Sequence, residues 1–373
     1  MRKGVRKLKM KAKISTKQLT YMLDKVTNST QSTGILSYAK IEFKDQRITL
    51  TTSNENVSVK TYSDCSYDAD ASILVNARLL YDIIKKCCSE EVSLELSGTE
   101  MLIRYGKSKF KLNGVAVDEY PDINFKVSED ANRFLIGTHK LSEAYSSVAY
   151  ATSDKSRPIF GCVHLESDDG KLSLCTTDSA RMAKKTLDVE YSGIPSNIPS
   201  KVLGEMIRIA SSESECVISV LPEKIIASTK DTRISCRVMN EDYPNLSKVM
   251  SSITPMLTLE TDAMRLADSL DRVTIINDDK AGVTTLNVIG HVAWLTANSD
   301  MTGEAKEAID CSISKEDDFS ISFNGAFAYQ ALKALGDGTA LIGFTTALKP
   351  IIIRKAGDDS LIQLFTPMKA RGK

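Results

Sequence analysis

Three stretches of the chain carry apolar residues at helical intervals behind a threonine. After Thr16 come Leu19, Met22, Leu23 and Val26 on one stripe, and Thr16 is expected as the N-cap. After Thr138 come Leu141, Ala144, Tyr145 and Val148, and after Thr261 come Met264, Leu266, Ala267 and Leu270. Each helix is followed by alternating, strand-like runs that contain a tight polar patch. The patches are TLTTSNENVSVKT, SLCTTDSARMAKKT and WLTANSDMTGEAKEA. A second helical pattern then starts at Asn76, Pro199 and Asn324, in NARLLYDIIKKC, PSKVLGEMIRIA and NGAFAYQALKALG. Closing strands follow in KFKLNGVAV, RISCRVMN and SLIQLFTPM. Each unit therefore reads helix, strands, helix, strands, which is an α+β fold repeated three times.

The prolines keep the same ruler. Pro121, in DEYPDINF, and Pro244, in EDYPNLSKV, are 123 residues apart, and Pro367 lies 123 further on. A period of that length is too long for a solenoid repeat and suits a self-sufficient domain. Proline cannot donate to a ladder and holds its predecessor extended. Pro121 and Pro244 therefore mark where a closing strand stops and the chain steps to its next domain.

With 42% hydrophobic and 26% charged residues, the composition is that of a globular protein. No apolar run is long enough to span a bilayer, and no secretion signal is visible. The eight cysteines form no CxxC pair and lie mostly in strand-like stretches, as buried thiols of a reduced cytosol do. No metal site and no cofactor are expected. His139, His164 and His291 have no ligand spacing, the acidic pair Asp278 and Asp279 reads as a solvated turn, and no phosphate loop or nucleophile motif is visible. Lysine and arginine balance aspartate and glutamate at 48 each, but five of the basic residues fall before Met10. The body is slightly acidic behind a basic extension at 1–9, so bulk charge does not hold it on nucleic acid.

From Met10 to about Lys369 the chain resembles the bacterial sliding clamps, the β subunit of the replicative DNA polymerase. The resemblance rests on FKLNGVAVDEYPDI, CTTDSARMA, VMNEDYPNLSKVM, SFNGAFAYQAL and the ending PIIIRKAGDDSLIQLFTPMKA. It implies three tandem clamp domains (10–127, 128–252 and 253–373), each with two helices backed by antiparallel sheets. Two chains then form a head-to-tail dimeric ring around duplex DNA. Such a ring is a non-catalytic processivity factor in the cytoplasm. Its expected partners are double-stranded DNA, a second copy, a clamp loader, and a polymerase or other protein carrying a Gln-Leu-x-Leu-Phe-like peptide. Topology then holds the DNA, which removes the need for strong charge.

The resemblance also implies site residues. A partner-peptide groove is expected at Ile159, Thr177, Arg181, Met182, Pro244, Val249, Asn324, Phe327, Leu364, Phe365, Pro367 and Met368, an apolar trough with polar edges. Departures from the family pattern fall at Ser179, Ala180, Lys248 and Thr366. The DNA-facing set is Lys17, Lys25, Arg78, Lys85, Lys86, Lys140, Arg157, Lys201, Arg208, Arg265, Arg272 and Lys333. The dimer contact is expected to bring Phe110 and Leu112 of one chain against Ile275 and Ile276 of the other. The segment MRKGVRKLK precedes the usual family start. It is expected to be disordered alone, with Met10 as the natural start favoured over a DNA-binding arm.

Overall fold

The computed structural model of the chain describes residues 9–129, 131–277, 282–315 and 318–369. The extension before Lys9 and the pair Asp278 and Asp279 lie outside these residues. Among the described residues there are seven helices: α1 (Thr16–Thr27), α2 (Ala77–Lys85), α3 (Thr138–Ala149), α4 (Ser200–Ala210), α5 (Leu246–Ser251), α6 (Ala263–Thr274) and α7 (Gly325–Leu335). None is long and apolar enough to cross a membrane. Six match the six helical patterns. The short α5 is the addition, and Asn245 starts it by accepting the Lys248 N–H at 2.9 Å.

None of the leading threonines is a cap, and two of the three are equivalent: Thr16 and Thr138 open their helices, while Thr261 lies two residues before α6. The Thr16 hydroxyl donates to the Ser89 carbonyl at 2.6 Å, Thr138 to Glu213 at 2.7 Å, and Thr261 to Asp310 at 2.6 Å. The first two tie a first helix to the chain just beyond the second helix, whereas Asp310 lies ahead of α7. At α6 the cap is Asp262, which accepts the Arg265 N–H at 2.9 Å. Asn76 caps α2 as its position suggests, accepting the Leu79 N–H at 2.9 Å. The three polar patches are the turns of hairpins: Arg47–Ser53 with Val57–Asp64, Lys171–Thr177 with Arg181–Glu190, and Val292–Ser299 with Gly303–Ile309.

The chain divides into two compact units, Met1–His139 with Lys201–Val238, and Lys140–Ser200 with Met239–Lys373. The first holds a five-stranded sheet and an eight-stranded sheet, and the second a nine-stranded and a five-stranded one. All pairings between named strands are antiparallel. Two pairings carry a sheet past a proline landmark. In the first unit Thr232–Arg237 pairs with Val57–Asp64, setting Thr232 opposite Thr61. In the second, Arg181–Glu190 pairs with Asp358–Phe365, setting Met182 opposite Leu364. Strand edges that separate domains would expose are consumed in this way.

The apolar stripes are the core. Leu19, Met22, Leu23 and Val26 of α1 are fully buried and face the hairpin that contains Ile48 and Leu50. In the second unit α6 and α7 pack on one another. Gly325 makes the junction possible, because a Cβ there would sit 2.4 Å from Thr284 Oγ1 and 2.5 Å from Thr274 Cγ2. Beside the proline landmarks the tyrosines are anchors. Tyr243 accepts the Thr177 N–H at 3.0 Å and stacks on His164 with centroids 4.6 Å apart, while Pro244 stays exposed. Tyr120 is likewise buried and Pro121 exposed.

Candidate functional site

All twelve expected groove residues fall in the second unit, on five pieces of chain: the single helical turn Pro158–Gly161 with Ile159, the hairpin turn before Arg181, the segment from Pro244 through α5, the start of α7, and the C-terminal strands. The turn is closed by its own side chains. Thr177 Oγ1 donates to the Arg181 carbonyl at 2.7 Å and accepts the Ser179 N–H at 3.1 Å. Asp178 Oδ1 accepts the amides of Ala180 and Arg181, both at 3.0 Å. Ser179 has φ +80°, the left-handed region that favours glycine, and these bonds hold a serine in it. The Thr366 N–H donates to the Ala180 carbonyl at 2.8 Å and joins the C-terminal strand to the turn. The register then sets Arg181 opposite Phe365 and Met182 opposite Leu364.

Burial divides the twelve. Ile159 (0% exposed), Leu364 (1%) and Phe365 (3%) are core side chains beneath the surface, as is Thr177. Leu364 joins Met250 and Ile352, with half-buried Met182 packed against them. Ile159 joins Phe160 and Cys162, with Met239 and Tyr243 alongside. Leu364 and Phe365 are successive strand residues and face opposite sides: Leu364 lies beneath Met182 as a floor of the trough, and Phe365 packs on Phe323 with ring centroids 5.5 Å apart. The surface is left to Val249 and Pro244, which are exposed, and to Met182, Phe327, Pro367 and Met368, which are half-buried. Pro367 and Met368 are fixed by pairing with Phe323 and Ser322. Asn324 spends its carbonyl on the N–H groups of Ala326 (3.0 Å) and Phe327 (3.2 Å), capping α7.

Arg181 is the most constrained member. Its Nε donates to Asp178 Oδ2 at 3.0 Å, its Nη1 donates to Gln330, and its guanidinium lies 4.3 Å from the Phe327 ring centroid and 5.4 Å from that of Tyr150. Tyr150 in turn donates to Gln363 Oε1 at 2.7 Å, and burial pushes its phenol well above the usual range. Gln363 Nε2 is buried with no hydrogen-bond partner. Sequence reasoning did not select Tyr150, Asp178, Gln330 or Gln363. Only the Asp-x-x-Arg spacing of Asp178 offered a local signal.

A buried polar network holds α5 beneath Val249. Lys184 Nζ donates to Ser247 Oγ at 2.9 Å and lies 2.9 Å from Asp168 Oδ2, and Ser247 donates to Glu166 Oε1 at 3.2 Å. His164 most of all, then the Cys175 thiol and the Lys184 charge, hold the Glu166 carboxyl down at about 2 against the opposing effect of burial.

The expected DNA-facing residues are exposed, with one correction. Lys25 is 3% exposed. Its ammonium sits 2.8 Å from Asp231 Oδ1 and 3.0 Å from Thr232 Oγ1, and 4.0 Å from the Tyr21 ring centroid. It cannot meet a phosphate without leaving that pocket. Of the others, Arg208 pairs with Glu205 at 2.9 Å and lies 3.7 Å from Asp24. Arg272 pairs with Glu307 at 2.5 Å, and Arg157 stands 3.9 Å from Glu241. Lys17, Arg78, Lys85, Lys86, Lys140, Lys201, Arg265 and Lys333 also lie at the surface.

Of the expected contact between chains, Ile275 is 76% exposed just beyond α6, and Ile276 is half-buried. Phe110 is 37% exposed on Ser108–Asn113, the edge strand of its sheet, and stacks on Tyr105. Leu112 is a further correction: on the same face of that strand as Phe110, it is 6% exposed and is covered by its own unit.

Three family models match in chain order: the DNA polymerase III beta subunit N-terminal domain at residues 10–124, the central domain at 136–245, and the C-terminal domain at 255–369. A beta sliding clamp of Staphylococcus aureus is 26% identical over 348 residues, covering 90% of this chain and 92% of that one. One from Halalkalibacterium halodurans is 26% identical over 367 residues, covering 93% and 95%. Among solved structures, the DNA polymerase sliding clamp of Bacillus subtilis superposes with a TM-score of 0.90 at 23% identity, over 98% of this chain and all of that one. A Pseudomonas aeruginosa sliding clamp bound to griselimycin gives 0.90 at 19% identity, over 97% and 100%. The crystal structures share the fold; the models, taken together across nearly the whole chain, place it by sequence. The chain belongs to the DNA polymerase III beta subunit family, the sliding clamps, whose members are processivity factors and not themselves catalytic.

Proposed function

We propose that two copies of this chain close head to tail into a ring around duplex DNA, and that the ring tethers a DNA polymerase to its template. Domains at 10–127, 128–252 and 253–373 supply six clamp domains to the ring. The observation that carries this reading is the unbroken order of the three family models from residue 10 to 369. The exposed cations of the paired helices face the duplex; Lys25 is left out of that set.

Partners dock in the groove of the second unit. An extended Gln-Leu-x-Leu-Phe peptide lays its leucine and phenylalanine between Met182, Val249 and Met368, over the floor made by Leu364. Arg181, braced by Asp178, forms the polar edge. Micromolar affinity, roughly −8 kcal/mol, suits so short a peptide. A clamp loader opens and closes the ring through the same groove.

Retention on DNA of different topology tests the ring. Rings loaded by a cognate clamp loader onto nicked circular DNA should stay bound through a high-salt wash and be lost once the circle is linearised. Equal retention on both forms would mean that the chain grips DNA by contact and does not encircle it.

A further inference from the structure

Gln363 is a polar residue at a core position. On Asp358–Phe365 it shares a strand face with Leu361 and Phe365, both buried. The two adjacent strands set it opposite Ala183 and Ile353, which are buried as well. An apolar side chain would fit that pattern. The glutamine instead leaves its Nε2 buried with no hydrogen-bond partner. Burying an unpaired N–H costs stability, so the amide is not accounted for by the stability of the fold. The one bond its side chain makes among the described residues comes from Tyr150, whose hydroxyl donates to Oε1 at 2.7 Å.

Tyr150 directly follows α3 and carries the effect to the groove. A phenol bonded at its tip cannot swing about its Cα–Cβ bond without losing that bond, so the ring is fixed. Its centroid lies 5.4 Å from the Arg181 guanidinium, and the Phe327 centroid lies 4.3 Å from the same group. Arg181 is thereby held by two rings besides Asp178 and Gln330, and its side chain is only 11% exposed. A long side chain ordered before its ligand arrives removes an ordering cost from binding.

We propose that Tyr150 is a positioning residue for the partner groove and that Gln363 is buried to hold it. The pair fixes Arg181 against Phe327, so the polar edge of the groove is set before an extended apolar peptide docks. The proposal rests on the peptide-groove reading. It gives a part in that site to Gln363, which is fully buried and meets no peptide.

Fluorescence anisotropy of a labelled Gln-Leu-Ala-Leu-Phe peptide with the full-length protein tests it, beside urea unfolding of each variant. Tyr150→Phe keeps the ring and removes only the bond to Gln363. It should weaken the peptide roughly five-fold, the net worth of one hydrogen bond. Tyr150→Phe with Gln363→Leu makes both partners apolar, which should hold the urea midpoint at or above that of the parent. The peptide should stay roughly five-fold weaker in this double variant, because Arg181 still lacks its fixed ring. A double variant that regains the parent's affinity along with its stability makes the pair a structural contact alone and overturns the proposal. Met368→Ala, in the groove itself, separates this outcome from failure of the groove reading. Weakened binding in Met368→Ala with full affinity in Tyr150→Phe overturns the proposal and leaves the groove standing. Affinity unmoved in every variant, Met368→Ala included, overturns both.

Discussion

At the scale of single residues, Lys25 and Arg181 share one physical feature: each has its charge committed to partners inside its own unit. Lys25 reaches Asp231 and Thr232, more than 200 positions away along the chain. Removing one member of a buried ion pair leaves the other without compensation, which typically costs about 3 kcal/mol or more. Lys25→Ala should therefore lower the unfolding free energy by about that amount in a denaturant titration, while the salt dependence of duplex binding stays where it was. A stable variant with a smaller salt slope would return Lys25 to the DNA-facing set. The helical stripe of α1 is legible in the sequence because its period is local. That the Lys25 ammonium leaves solvent was not, because the loop that receives it belongs to another part of the chain. Leu112 shares its strand face with Phe110, so alternation alone could not separate the buried residue from the exposed one.

At the scale of elements, the signals that worked are those whose physics is complete within a few residues. The polar patches predict hairpin turns because side chains such as Thr177 and Asp178 satisfy the turn's own amides. Asn76 and Asn324 predict helix starts for the same reason. Thr16 and Thr138 open their helices and Thr261 lies two residues before its own, none shown as a cap, so the repeat was legible while the bond each one makes was not. Strand partners from distant sequence were not legible at all, and the groove depends on one such pairing, Met182 with Leu364. Asn324 links the two kinds of information. By accepting the Phe327 N–H it fixes the residue whose ring stacks on Arg181. Asn324→Ala should cost about 1 kcal/mol of stability, as lost caps do. It should also weaken a Gln-Leu-x-Leu-Phe peptide in calorimetry, whereas Asn324→Asp should keep both properties. Full affinity in the alanine variant would separate the cap from the groove.

At the scale of the whole molecule, the remaining question is what covers two of the sheet edges. Ser108–Asn113 ends the five-stranded sheet of the first unit, and Gly303–Ile309 ends that of the second. Unpaired edges of six and seven residues invite pairing with another chain. Their charges differ in a way that selects the partner. The first edge carries Lys109 and Lys111, a net of +2, and the second carries Glu304, Lys306 and Glu307, a net of −1. Like edges therefore repel and unlike edges attract, which favours a head-to-tail contact over a contact between two copies of one edge. Ile275, exposed beyond α6, is available as the apolar part of that contact. Ile275→Asp with Ile276→Asp should place charge in it and convert the dimer to monomers by sedimentation, with the circular dichroism spectrum unchanged. Since a monomer cannot enclose DNA, the same variant should lose its high-salt retention on nicked circles while still binding the partner peptide, whose groove lies within one unit. A double variant that sediments as the wild type does would move the contact away from Ile275 and leave the two edges to be covered by something other than each other.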